Sequence, residues 1–308
     1  MLCSFFLLLF LLLPSCKPLV DAGGKQLSSK EHHALESLFS HLLFYEGGAY
    51  TLFGSKPMSF ESLSDIPEKE KQEFFFFSSH PSIKNMLNFS ENWNTWERLK
   101  NQYPMPRFLL FQRNSPSFSP AEQSVFLVNI TATTGILQKY YQKFRAAAGE
   151  DFDPLDIVFE IQDNHSVFWN KILTREDLFG LLLGFGEENA WFFTKVKAWQ
   201  DLENRHPNDQ KNDFLASLSM QAPGSNSLSH FDPSFPLPGF ICYAEEESFD
   251  LVRRYENERT MIKKIYHGKD LVQTTLDRLT SKDLPADPDQ LYKEKMIKEL
   301  GIQSQPPQ

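Results

Sequence analysis

Ser119-Pro120-Ala121-Glu122-Gln123-Ser124-Val125-Phe126-Leu127-Val128-Asn129-Ile130, running on through Ile136, Leu137, Tyr140, Tyr141 and Phe144 to Gly149, is the stretch on which the fold class turns. Serine followed by proline signals a helix start, because the serine caps and the proline takes a position whose N–H would be unpaired anyway. Val125 to Ala148 mixes β-branched residues with a clearer helical stretch, apolar at spacings of three and four, and Gly149 can close it. The signal at Ser119 therefore predicts a helix.

Outward from this stretch the pattern stays mainly helical. Ser28 or Ser29 can cap a helix carrying Leu35, Leu38, Phe39, Leu42 and Leu43, which Gly47-Gly48 can end. Ser90 to Tyr103 places Trp93, Trp96 and Leu99 at helical spacing. Asp153-Pro154 opens an element through Ile161. Thr174–Leu183 and Glu187–Leu202 read as helices hinged at Gly184-Phe185-Gly186, and Phe249–Ser281 as two helices broken near His267-Gly268. Strand signals are few and short: a hairpin of Ala49–Phe53 and Pro57–Phe60 turning at Gly54-Ser55, then Arg107–Gln112 and Phe240–Tyr243. The expected fold is α+β, mostly helical, with a few short strands that never alternate regularly with the helices.

Residues 29–281 read as a single globular body. A subdivision is expected, if anywhere, at 217–239, a Ser-, Pro-, Gly- and Asn-rich loop too long for a routine connection. Residues 282–308 supply a last short helix, Asp289–Leu300, and a polar tail. Phe74-Phe75-Phe76-Phe77 is expected in the core, since four adjacent aromatics are poorly placed in water.

The chain opens Met1-Leu2-Cys3-Ser4 and then runs Phe5–Leu13, nine apolar residues. As a helix they would reach about 14 Å at about 1.5 Å per residue, against about 30 Å of bilayer core. Residues 1–15 are thus expected to be a signal peptide and 16–28 a tether. Leu13-Pro14-Ser15-Cys16 resembles the lipobox of bacterial lipoproteins, in which a peptidase cuts before the cysteine and a diacylglyceryl thioether is left on its sulfur. Leu13 and Ser15 fit that pattern and Pro14 departs from it. The resemblance implies lipid attachment at Cys16 with palmitate-class acyl chains, a bacterial cell-envelope location, and the membrane as a partner through that anchor. Lys17 stands where an acidic residue would retain such a protein at the inner membrane, which permits an outer-membrane address.

With Cys3 removed and Cys16 acylated, Cys242 is the remaining thiol, expected buried and inert in its apolar run. A formal net charge of −9 excludes nucleic acid, which needs clustered Lys and Arg. No cofactor and no metal site is signposted. Gly180, Gly184 and Gly186 lack the lysine of a phosphate loop, and Glu187-Glu188 would repel a phosphate; Gly180 and Gly184 are expected on one close-packed helix face. His32 and Glu36 form an i, i+4 pair, while a helical wheel sends His33 and His41 outward, so an amphipathic flank is preferred to zinc. Asp151, Asp153 and Asp156 miss calcium-loop spacing and suit a helix cap. Sequons at Asn88, Asn129 and Asn164 are few enough to be chance.

Two functions follow. The preferred one is a lipid-anchored binding or structural module meeting an envelope protein partner. The alternative is an envelope hydrolase whose site gathers His230, Asp232 and Glu245-Glu246-Glu247 under the 217–239 loop. Gly224-Ser225-Asn226-Ser227 lacks a nucleophile-elbow form. A cleft beneath that loop with convergent histidine and carboxylates would favour the hydrolase. The strings 178–193 and 49–58 look like those of uncharacterised exported proteins of chlamydia-related bacteria, a family that carries no assigned activity.

Overall fold

The computed structural model describes residues 27–63, 85, 87–114, 123–205, 235–240, 243 and 245–281. Its helices are α1 (Ser29–Phe39), α2 (Gly48–Phe53), α3 (Phe89–Leu99), α4 (Ile130–Lys139), α5 (Tyr141–Ala148), α6 (Pro154–Glu160), α7 (Val167–Ile172), α8 (Glu176–Leu182), α9 (Glu187–Arg205), α10 (Glu245–Tyr266) and α11 (Leu271–Thr280). A π-helical turn, Ser40–Tyr45, continues α1. Strands β1 (Met58–Leu63), β2 (Phe108–Asn114) and β3 (Gln123–Asn129) form one antiparallel sheet in the order β1-β3-β2. The fold is α+β and mostly helical.

The sheet is the middle layer. Successive strand residues point to opposite faces, and here helices cover both. Phe108, Leu110, Val125 and Leu127 join a core built with α1, α2, α3, α10 and α11. Met58, Leu109, Phe111, Phe126 and Val128 join a second core built with α4 to α8. Burial on both sides removes the polar alternation that marks a half-exposed strand. That corrects the expected helix at Ser119: Gln123–Asn129 is the central strand, with Met58 opposite Val128 and Phe108 opposite Asn129. The helix starts only at Ile130, where the Asn129 side chain accepts from Ala132 N–H.

The hairpin is also corrected. Gly47 adopts the left-handed φ of 70° and starts α2, so Ala49–Phe53 is helical, while Met58–Leu63 pairs with β3. Phe240 and Tyr243 belong to no strand. Gly180 does allow close packing, since a Cβ there would lie 2.7 Å from the Cβ of Ala190. Gly184, however, lies beyond the end of α8 at φ 78° and shares no helix face with it.

Residues 1–26, with Cys3 and Cys16, lie outside the described residues. So do Phe74–Phe77, Ser119–Glu122, residues 206–234 with Ser225, His230 and Asp232, then Cys242 and 282–308. No helix among the described residues is long and apolar enough to cross a membrane.

Candidate functional site

The site starts at the end of α1. Ser28 caps that helix in a reciprocal box with Glu31, and Leu35, Leu38 and Phe39 face the core. At Ser40 the ladder widens into the π turn, so that Glu46 N–H donates to the His41 carbonyl at 3.4 Å, five residues back. In an α-helix residues five apart stand about 140° from one another, at about 100° per residue. The wider turn brings His41 and Glu46 into one cluster with Glu61. The outward position expected for His41 is therefore wrong: it is 4 % exposed, 5.1 Å between ring centroids from Phe89 and 5.9 Å from Tyr45.

From the other side β1 contributes Glu61, whose Oε1 lies 3.5 Å from His41 Nε2. Neither ring nitrogen of His41 has a hydrogen-bond partner. One ligand atom each from His41, Glu46 and Glu61 fall within 4.8 Å of one another. Lys56, from the connection between α2 and β1, is buried and donates to Ser59 Oγ at 2.9 Å, which in turn lies 2.9 Å from Thr51 Oγ1. A Cβ on Gly47 would sit 3.4 Å from that ammonium, so glycine serves both the left-handed turn and the close approach.

Electrostatics follow from burial. Glu46 is pushed up to about 8, first by desolvation, then by the charge and hydrogen bond of Glu61, against the pull of Lys56. Lys56 is pushed down to about 8 by desolvation, against the opposing pull of Glu46. The pocket between them measures about 320 Å³ and is walled by Phe60, Leu183, Phe185 and the segment Pro236–Gly239. That segment is the end of the long loop, held by Tyr50 Oη donating to the Pro236 carbonyl at 3.0 Å. No family model, curated protein or solved structure matches the chain. The site therefore rests on its own geometry.

The expected candidates fare differently. His32 pairs with Asp270 at 3.0 Å, and Glu36 with the exposed His33 at 3.7 Å, so His32 and Glu36 do not form a metal pair. Asp153 caps α6 through Leu155 and Asp156 N–H, and Asp151 meets Arg145 at 2.7 Å. Asn129 caps α4 and is buried, and Asn164 Oδ1 accepts from Asn114 N–H at 2.9 Å. Of the acidic run, Glu247 accepts from the N–H groups of Glu187, Glu188 and Asn189 at 2.8, 3.0 and 3.3 Å, capping α9. A Cβ on Gly186 would lie 2.6 Å from that carboxyl carbon, and its φ is 85°. The larger groove here, about 630 Å³, is lined by Glu187, Glu188, Glu246, Glu247 and Asp250. One of these carboxylates, Glu247, is thus occupied by a helix end.

Sequence reasoning missed Glu46, Glu61 and Lys56 altogether. The one signal was a lysine and two glutamates within sixteen residues of largely apolar sequence.

Proposed function

We propose that this chain is an envelope protein tethered by a lipid on Cys16 and that its helical body is a binding module for a small polar or cationic ligand. The pocket carries that reading: two carboxylates and a buried lysine line about 320 Å³ beside Pro236–Gly239, and the buried His41 stands 3.5 Å from one of those carboxylates. Enclosed polar groups of this kind are the usual mark of a ligand site. The tether is supported by the apolar run Phe5–Leu13 and the lipobox-like Leu13–Cys16.

A second reading, an envelope hydrolase, gains from the same pocket, since two carboxylates line it beside the end of the loop and a histidine stands 3.5 Å from one of them. It takes different residues from His230, Asp232 and Glu245–Glu247. Binding is preferred because the hydroxyl beside the lysine, on Ser59, is fully buried and donates or accepts only within the core.

The test is expression of the full-length gene in a Gram-negative host beside Cys16→Ala, followed by intact mass and membrane fractionation. A diacylglyceryl mass shift with membrane recovery, both lost in the variant, supports the tethered module. An unmodified soluble product sinks the tether. Turnover of ester or amide substrates abolished by Glu61→Gln would put the hydrolase first.

A further inference from the structure

The fold holds beside this pocket a histidine whose donor atoms it does not use. His41 is buried with both ring nitrogens lacking a hydrogen-bond partner, an arrangement that costs stability unless something else engages them. Its contact with Glu61, 3.5 Å from Nε2 to Oε1, lacks hydrogen-bond geometry. A different chemistry matches that separation. Two nitrogen or oxygen ligands about 2.1 Å from one tetrahedral ion stand about 3.4 Å apart. A carboxylate oxygen of Glu46 completes a set of three within 4.8 Å.

We propose that His41, Glu46 and Glu61 bind a divalent first-row transition-metal ion of the zinc class, with a further coordination position open to the pocket. The imidazole selects against magnesium and calcium, which take oxygen ligands. Among the described residues no fourth His, Cys, Asp or Glu joins the group, so the remaining position belongs to water or a ligand. The buried ammonium of Lys56 opposes a cation here, and its removal should tighten binding. His41 and Glu61 already stand 3.5 Å apart, and Glu46 closes on the ion from within 4.8 Å. The inference rests on this pocket being the module's working site, and is independent of the lipid on Cys16.

The experiment uses the untagged full chain in detergent. Zn²⁺ alone is titrated by calorimetry at neutral pH, and Co²⁺ is followed by visible absorption. One equivalent should bind, with the intense visible bands of four-coordinate cobalt. His41→Leu and Glu61→Gln should each weaken Zn²⁺ at least about 10-fold and remove the cobalt bands. Lys56→Met should tighten binding, and His33→Ala, at the exposed His33–Glu36 pair, should leave it unchanged. Circular dichroism confirms folding, and Glu61→Gln decides the matter if His41→Leu does not fold. No uptake by the wild type, or uptake indifferent to both ligand variants, overturns the site. Metal binding without membrane recovery would remove the tether and keep the site; membrane recovery without metal binding would do the reverse.

Discussion

His41 and Glu46 stand five residues apart yet meet in one cluster with Glu61, because Glu46 N–H donates to the His41 carbonyl across a π turn. Short π segments recur at functional sites, and here the turn puts a histidine with no hydrogen-bond partner 3.5 Å from the Glu61 carboxylate. Without an ion the ring contributes little beyond its volume. His41→Leu should then change the melting temperature of the metal-free protein by no more than a few degrees, in either direction, since it removes two unpaired polar atoms. A loss above about 3 kcal/mol in denaturant unfolding would mean that the ring is held by polar contacts and contradict its lack of a hydrogen-bond partner.

Glu247 is a cap. Its carboxylate accepts three backbone N–H groups at the positive end of α9. Glu247→Ala should lower stability by about 1–2 kcal/mol, read from urea midpoints, and leave Zn²⁺ uptake as it was. Unchanged stability with lost ligand binding would instead return Glu247 to a functional site.

Arg113 holds the second core together. Buried on β2, it donates to the carbonyls of Ile161 and Asp163 at 2.7 and 2.8 Å and to Asn170 Oδ1 at 2.6 Å. Burial pushes its guanidinium down to about 10, which still leaves it charged at neutral pH. Arg113→Met strands three acceptors and should cost about 3 kcal/mol or more. Arg113→Lys should recover only part, because an ammonium cannot reproduce the planar fork. Equal stability of the two variants in chemical denaturation would show that charge alone matters.

The capping box at α1 gives a pH signature. The Arg98 guanidinium, 2.7 Å away, and the Ser28 hydroxyl and N–H hold the Glu31 carboxylate down to about 2 from its ordinary 4.5. A depressed folded-state value stabilises above the unfolded value and is lost as pH falls through the folded one. The gap in melting temperature between wild type and Glu31→Gln should therefore be constant above about pH 5 and close as pH falls from about 4.5 toward 2. The effect is small, because Arg98 is 60 % exposed and screened. A gap that widens on acidification contradicts the assignment.

Much of the frame was legible because its signals are local. The Ser28 cap, the Leu35–Leu38–Phe39 face, the Trp93–Trp96–Leu99 face and the Asp153-Pro154 start each depend on residues within one or two turns, and all are found as expected. The central strand was misread because helices cover both faces of the sheet. Val125 to Val128 then carries no alternation, and a nearby Ser-Pro points to a helix. The pocket was missed for a related reason. The i, i+4 rule finds His32 with Glu36, which the fold sends to separate partners, while His41 reaches Glu46 only through a π turn and Glu61 only through the sheet. No periodicity rule registers a one-residue widening of a helix.

The most direct test of the pocket is a crystal of the full chain grown with Zn²⁺ and measured at the zinc absorption edge. One strong anomalous peak is expected within about 2.2 Å of His41 Nε2 and of oxygens from Glu46 and Glu61. Peaks only at surface residues such as His33, with the pocket empty, would contradict it.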